Sequence, residues 1–152
     1  MLKETLIKLY RRDLEKLRAE IAAYRDEKNL WRVANDAPNS AGNLCLHLVG
    51  NLNTYLGAEL GRTGYVRDRD REFSDRDISQ NGLLEKVDAT LTVVTAALEG
   101  LSEEDFAEDY PQIVFDEPMT TGYFLVHLAT HLAYHLGQID YHRRLLDAGE
   151  NR

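Results

Sequence analysis

Three features of the sequence predict an all-α fold, a bundle of four helices. Apolar residues recur at helical spacing over four stretches of about twenty residues, charged residues fill the positions between them, and turn-forming residues separate the stretches. Amphipathic helices of that length must bury one face each, and packing against one another is the simplest way to do so.

The first helix is expected over about 2–24, where Leu2, Leu6, Leu9, Leu17 and Ile21 form the apolar stripe. Pro38, Asn39 and Ser40 then break the chain. The second helix runs over about 41–60 and stops at Gly61 and Gly64. The segment RTGYVRDRDREFSDRD follows as a polar connection. In it Arg62, Arg67, Arg69, Arg71 and Arg76 are balanced by Asp68, Asp70, Glu72, Asp75 and Asp77. It reads as a solvated, self-neutralising crossover, with an arginine-lined mouth for an anionic substrate as the alternative. The third helix spans about 79–98, with Leu83, Leu84, Val87, Leu91, Val94 and Leu98 as its stripe.

Ser102 and Asp105 resemble a capping box for a short extra turn. DYPQIVFDEPMT alternates apolar and polar residues between two prolines, the pattern of an extended segment or small hairpin. Thr120 or Thr121 caps the fourth helix, which continues to about 146 and stops at Gly149. No repeat or linker divides the chain, so one domain over 1–152 is expected. The second connection is long enough for a crossover, so up-down-up-down order is not required.

Composition narrows the function. With 43% hydrophobic and 29% charged residues over 152 positions, the chain can bury a core without a disulfide or structural metal. A net charge of −8 argues against nucleic acid or an anionic membrane surface as partner, since both need concentrated Lys and Arg. The single cysteine, Cys45, excludes an internal disulfide and suits a reducing compartment; it lies on the apolar arc of the second helix, as a core residue would. The N-terminal MLKETLIKLYRRDLEKL is charged throughout, unlike a signal peptide or membrane span, so a cytoplasmic location is expected.

Four of the five histidines, His127, His131, His135 and His142, sit within sixteen residues of the fourth helix. A neutral imidazole offers a lone pair near neutral pH and is the commonest side-chain metal ligand. Residues four apart share a helix face and are separated by roughly 6 Å along the axis. The pair able to share an ion is therefore His127 with His131 or His131 with His135, and the second lies nearer the leucine cluster of that helix. A third ligand must come from elsewhere, and His47 is the remaining histidine. Leu44, Leu48, Leu52 and Leu56 point away from it, whereas Asn43, Gly50, Asn51 and Thr54 share its side. That places His47 at the border of the buried face, as a partly solvated ligand or equally as an exposed residue. Tyr55, Tyr123, Tyr134 and Tyr141 read as packing or rim residues, and Gly50 and Gly57 as points of close helix approach. No general base emerges, because Glu59 and Asp140 do not lie beside the candidate ligands.

The segment H-x-x-x-H-x-G-Q-I, formed by His131, His135, Gly137, Gln138 and Ile139, together with His47 in NLCLHLVGNL, resembles the DinB-like family. The resemblance spans nearly the whole chain. It implies a four-helix bundle of up-down-down-up connectivity, often a homodimer, that binds a divalent metal through three histidines. Carried onto this chain, those ligands are His47, His131 and His135, with zinc or nickel the expected ions and manganese or iron acceptable to the same donors. His127 falls outside that motif. With Asn51, Tyr134 and Gln138 it is expected to support the ligands or touch substrate.

Three neutral histidines leave a coordination position open, as catalytic zinc sites do. The resemblance, whose characterised members include transferases using bacillithiol or mycothiol and a thiol-dependent isomerase, implies a metal-dependent S-transferase that activates a small thiol toward an electrophile. The alternatives are a hydrolase using metal-bound hydroxide and a non-enzymatic metal-binding or stress-response dimer.

Overall fold

The computed structural model describes residues 1–149 of the chain. Among them are five α-helices and no strands: α1 (Leu2–Ala22), α2 (Ala41–Leu52), α3 (Arg69–Ser74), α4 (Gln80–Glu99) and α5 (Thr121–Leu146). The fold is all-α, as expected. Side-chain oxygens of Ser40, Asp68, Ser79 and Thr120 accept from the third backbone N–H beyond them and so start α2, α3, α4 and α5. Ser102 and Asp105 exchange the reciprocal hydrogen bonds of a capping box. The alternating segment closes with a single bridge between Asp109 and Thr120.

Cross-helix contacts fix how the four long helices run. Lys3 Nζ donates to Glu99 O, Arg18 pairs with Asp88 and Gln80 Nε2 donates to Ile21 O, so α1 and α4 are antiparallel. Tyr10 Oη donates to Leu125 O and Arg143 pairs with Glu20, so α1 and α5 are parallel. His47 meets His131, and the Tyr55 and Phe124 rings lie 5.1 Å apart, so α2 and α5 are antiparallel. Asn53 Nδ2 donates to Thr90 Oγ1, and further along both segments Gly57 faces Val93, so α2 and α4 are parallel.

The expected stripes of the third and fourth helices are largely the observed core. Leu83, Val87, Val94 and Leu98 of α4 and Leu125, Leu128, Leu132, Leu136 and Ile139 of α5 are buried, with Leu84 and Leu91 packed at its margin. On α1 the buried face is Leu6, Tyr10, Leu14, Leu17 and Ile21, whereas Leu2 and Leu9 of the expected stripe lie outside the core. Two helix ends differ from expectation. The first helix stops at Ala22 rather than 24, and Tyr24 turns inward to pack. The second stops as an α-helix at Leu52 and continues as a π-helical segment, Asn53–Ala58, in which Glu59 N–H donates to Thr54 O. An i+5 turn changes the hydrogen-bond register without changing the hydropathy pattern, so periodicity alone does not reveal it.

The larger correction concerns the polar connection. It contains α3, which packs onto α2. Asn43, 2% exposed, fastens the two together: its Nδ2 donates to the backbone carbonyls of Glu72 and Asp75, and its Oδ1 accepts from Ser40 and Arg76. Gly50 makes the approach possible, because a Cβ there would collide with the Glu72 carboxylate. At the other end, Asp147 accepts from the Arg25 and Asp26 backbone N–H groups and from Asn29, tying the end of α5 to the chain after α1. No helix among the described residues is long and apolar enough to cross a membrane.

Candidate metal centre

His47 projects from the middle of α2, and His131 and His135 project one turn apart from α5. Because α2 and α5 pack antiparallel, the three rings meet. His131 Nε2 lies 3.2 Å from His47 Nε2 and 3.1 Å from His135 Nε2. All three ligand atoms fall within 4.8 Å of one another. The nitrogens of a tetrahedral zinc site with Zn–N of about 2.0–2.1 Å stand about 3.3 Å apart, close to the two shorter separations. The group can therefore hold a metal ion.

The tautomers favour that use. His47 Nδ1 lies 3.1 Å from Glu72 Oε1 and His135 Nδ1 lies 2.6 Å from Gln138 Oε1. A carboxylate or amide oxygen only accepts, so each Nδ1 carries the proton and each Nε2 turns a lone pair inward. Both lone pairs aim at His131 Nε2, and a single N–H there can serve one of them at a time. The far nitrogen, His131 Nδ1, is buried without a hydrogen-bond partner. A cation among the three Nε2 atoms satisfies all of them together, so the donor set fits a divalent ion. Burial, followed by the neighbouring His135 and His47, pushes His131 down to about 4, and burial also lowers His135. Both shifts favour the neutral ring, the form that ligates.

The support of His47 was not legible in the connection that supplies it. Instead of lying at a half-solvated border, His47 is 7% exposed, because α3 covers that side of α2. Its ring packs 5.0 Å from Phe73. Glu72, equally buried, is held on its other side by Arg67, whose Nε and Nη2 donate to the two carboxylate oxygens at 2.8 and 2.9 Å. Burial works to raise the Glu72 pKa, but the hydrogen bonds from His47 and Arg67 outweigh it and hold the carboxyl below its ordinary range. Arg67 is thus spent on a carboxylate, and Arg71 and Arg76 on Asp75 and Asn43. The connection is neither simply solvated nor an open arginine mouth. A lone Phe in a run of charges and a mid-helix Gly opposite it were the available signals.

The remaining candidates separate. Gln138 orients His135, and Tyr134 sets its ring edge-on 5.3 Å away while staying 66% exposed. Asn51 is buried one turn beyond His47 with its Oδ1 unpaired. His127 stacks with Phe124 and meets Phe115 edge-on, and it is not one of the three converging ligands. His142 is structural: Tyr24 Oη donates to its Nδ1 at 2.6 Å, and its Nε2 donates to Arg32 O at 2.8 Å. Glu59 and Asp140 pair with Gln112 and Arg144. A cleft of about 780 Å³ opens against His135 and Gln138, bounded by the 34–39 segment and the C-terminal half of α5.

Residues 3–152 match the model of a family described as a protein of unknown function, DUF1572. The chain belongs to the DUF1572 family. DUF1572 is DinB-like, so the resemblance carried by His47 and the His131–Ile139 motif holds at the level of the family group. The family's description assigns no reaction to its members, and no curated protein matches this DUF1572 chain.

Proposed function

We propose that this DUF1572 protein holds a divalent metal ion through His47, His131 and His135 and uses it to transfer a small thiol to an electrophile. The carrying observation is the convergence of three Nε2 atoms whose tautomers are set by Glu72 and Gln138. When bound, a divalent ion supplies Lewis acidity that lowers the pKa of a thiol at its open coordination position. Zinc and nickel suit the imidazole set best, and manganese or iron are weaker candidates. The helix directions above support up-down-down-up order for the four long helices.

The protein's own residues orient the ligands and exclude competing water. Glu72 and Arg67 lock the His47 ring, Gln138 locks His135, and the buried faces of α2 and α5 shield the inner side of the site. The thiol loses its proton to solvent, its sulfur forms a bond to an electrophilic carbon, and the leaving group departs with its bonding electron pair. A thiolate needs no further base once formed. That favours thiol transfer over hydrolysis here, because Glu72, the carboxylate touching the triad, is already engaged by His47 and Arg67. A homodimer and a cytoplasmic location belong to the same reading; exposed Tyr123 and Val126 on α5 are available to a second copy, and a lone reduced cysteine suits the compartment.

The test is conjugation of chlorodinitrobenzene with a panel of low-molecular-weight thiols, with chloride as the leaving group. Metal-dependent product formation that disappears in His131→Ala is expected. Equal rates for wild type and variant with every thiol and ion would sink the transferase reading.

A further inference from the structure

The cleft against His135 has walls whose chemistry the triad does not explain. Its volume, about 780 Å³, lies in the range of small-molecule sites, roughly 300–1,000 Å³. One wall is a stripe of α5 in which Tyr134, Tyr141 and Leu145 remain 66%, 68% and 75% exposed. Spacings of seven and four residues place them on one helix face. The opposite wall, with Ala37 and Pro38, is shaped by a tight turn in which Ala37 N–H donates to Ala34 O and Asn35 takes a left-handed φ of 53°. Large apolar groups left open along a concave surface are how small-molecule sites are lined.

The charge of the lining is the second observation. Among the described residues it contains one carboxylate, Asp36, and no lysine or arginine. His142 adds no charge, since burial lowers its pKa and both its nitrogens are engaged. While the triad holds no ion, an anion entering would lose hydration and find no positive side chain in the lining, in a chain whose net charge is already −8. An uncharged aromatic ring loses little water and gains two tyrosine rings, and a cation gains those ring faces and Asp36.

We propose that this cleft binds an aromatic compound and, while the triad holds no ion, takes uncharged or cationic ones in preference to anionic ones. On the thiol-transfer reading, on which its role in a reaction rests, that compound is the electrophile, presented to the His135 side of the triad.

Two fluorescent probes of nearly identical shape test the charge rule: uncharged N-phenyl-1-naphthylamine and its sulfonated counterpart, 8-anilino-1-naphthalenesulfonate. With the protein first freed of metal by a chelator, the uncharged probe should bind saturably, and the sulfonate at least about tenfold more weakly. Ala37→Arg and Tyr141→Ala, both at exposed positions, should each weaken the uncharged probe about fivefold or more with the far-ultraviolet circular dichroism unchanged. His131→Ala should leave probe binding within about twofold, since the triad is not its anchor. Absence of binding, equal affinity for the sulfonate, or indifference to both wall variants would overturn the assignment. If the wild type retains no divalent ion yet shows the predicted probe pattern, the metal reading fails and the cleft assignment is supported. If the ion is retained and the uncharged probe does not bind, the cleft assignment fails alone.

Discussion

Glu72 Oε1 lies 3.1 Å from His47 Nδ1, so a residue of the crossover helix decides which nitrogen of an α2 histidine is free to ligate. Replacing Glu72 with Gln keeps an acceptor but removes the charge that strengthens His47 as a donor and pairs with Arg67. Zinc affinity, measured by competition with a chromophoric chelator, should fall about 10- to 100-fold, the usual cost of losing such a partner. Glu72→Ala should in addition lower the melting temperature, because it leaves Arg67 half-buried without its carboxylate. Unchanged zinc affinity in both variants would show that Glu72 does not set the ligating nitrogen of His47.

Gly50→Ala separates local propensity from site geometry. In a helix interior, Ala is favoured over Gly by about 1 kcal/mol. Here the new Cβ would collide with a carboxylate pinned by His47 and Arg67, so Glu72 must give up its place beside His47 or α3 must move. The expected outcome is weaker metal binding with little or no gain in stability. A variant more stable than wild type with full zinc affinity would show that α3 does not press on α2 in solution.

The stability of the metal-free protein should depend on His142. Burial chiefly lowers its pKa from the ordinary value of about 6.5, so the unfolded chain takes up the proton first. Its contribution is fully present above about pH 6.5 and is lost as pH falls through the lower folded-state value. His142→Phe removes the hydrogen bonds to Tyr24 and Arg32, lowering the urea midpoint at pH 7.5, and should flatten the decline toward pH 5. A variant whose acid decline matches that of wild type would show that His142 contributes nothing to that decline beside His131 and His135.

Cys45 should be inert in the folded protein. It is fully buried, and burial pushes its thiol up to about 12. Ellman's reagent should label it only after denaturation, whether or not the ligand histidines are intact. Rapid stoichiometric labelling of the native protein would contradict the packing of α2 and admit an internal nucleophile.

Much of this architecture could be read from the sequence because the long helices announce themselves. The Thr120 cap and an apolar stripe of three- and four-residue spacing place α5 correctly, and with it the register that brings His131 and His135 to one face. The burial of His47 could not be read in the same way. It depends on a six-residue helix within a run of charges, where no periodicity can develop, and on Asn43 and Gly50 receiving that helix. The π-helical segment was hidden for a related reason: its apolar residues continue the pattern of α2. The cleft was hidden because one wall is an irregular turn, and its apposition to Tyr141 and Leu145 is a property of the packed chain.

Metal retention is the direct consequence of the convergence of His47, His131 and His135. Tag-free protein, incubated with zinc, nickel or manganese and freed of excess ion, should keep close to one ion per chain by elemental analysis. His131→Ala should keep almost none while its circular dichroism is unchanged. Retention of no ion by the wild type, or equal retention by the variant, would contradict the metal centre.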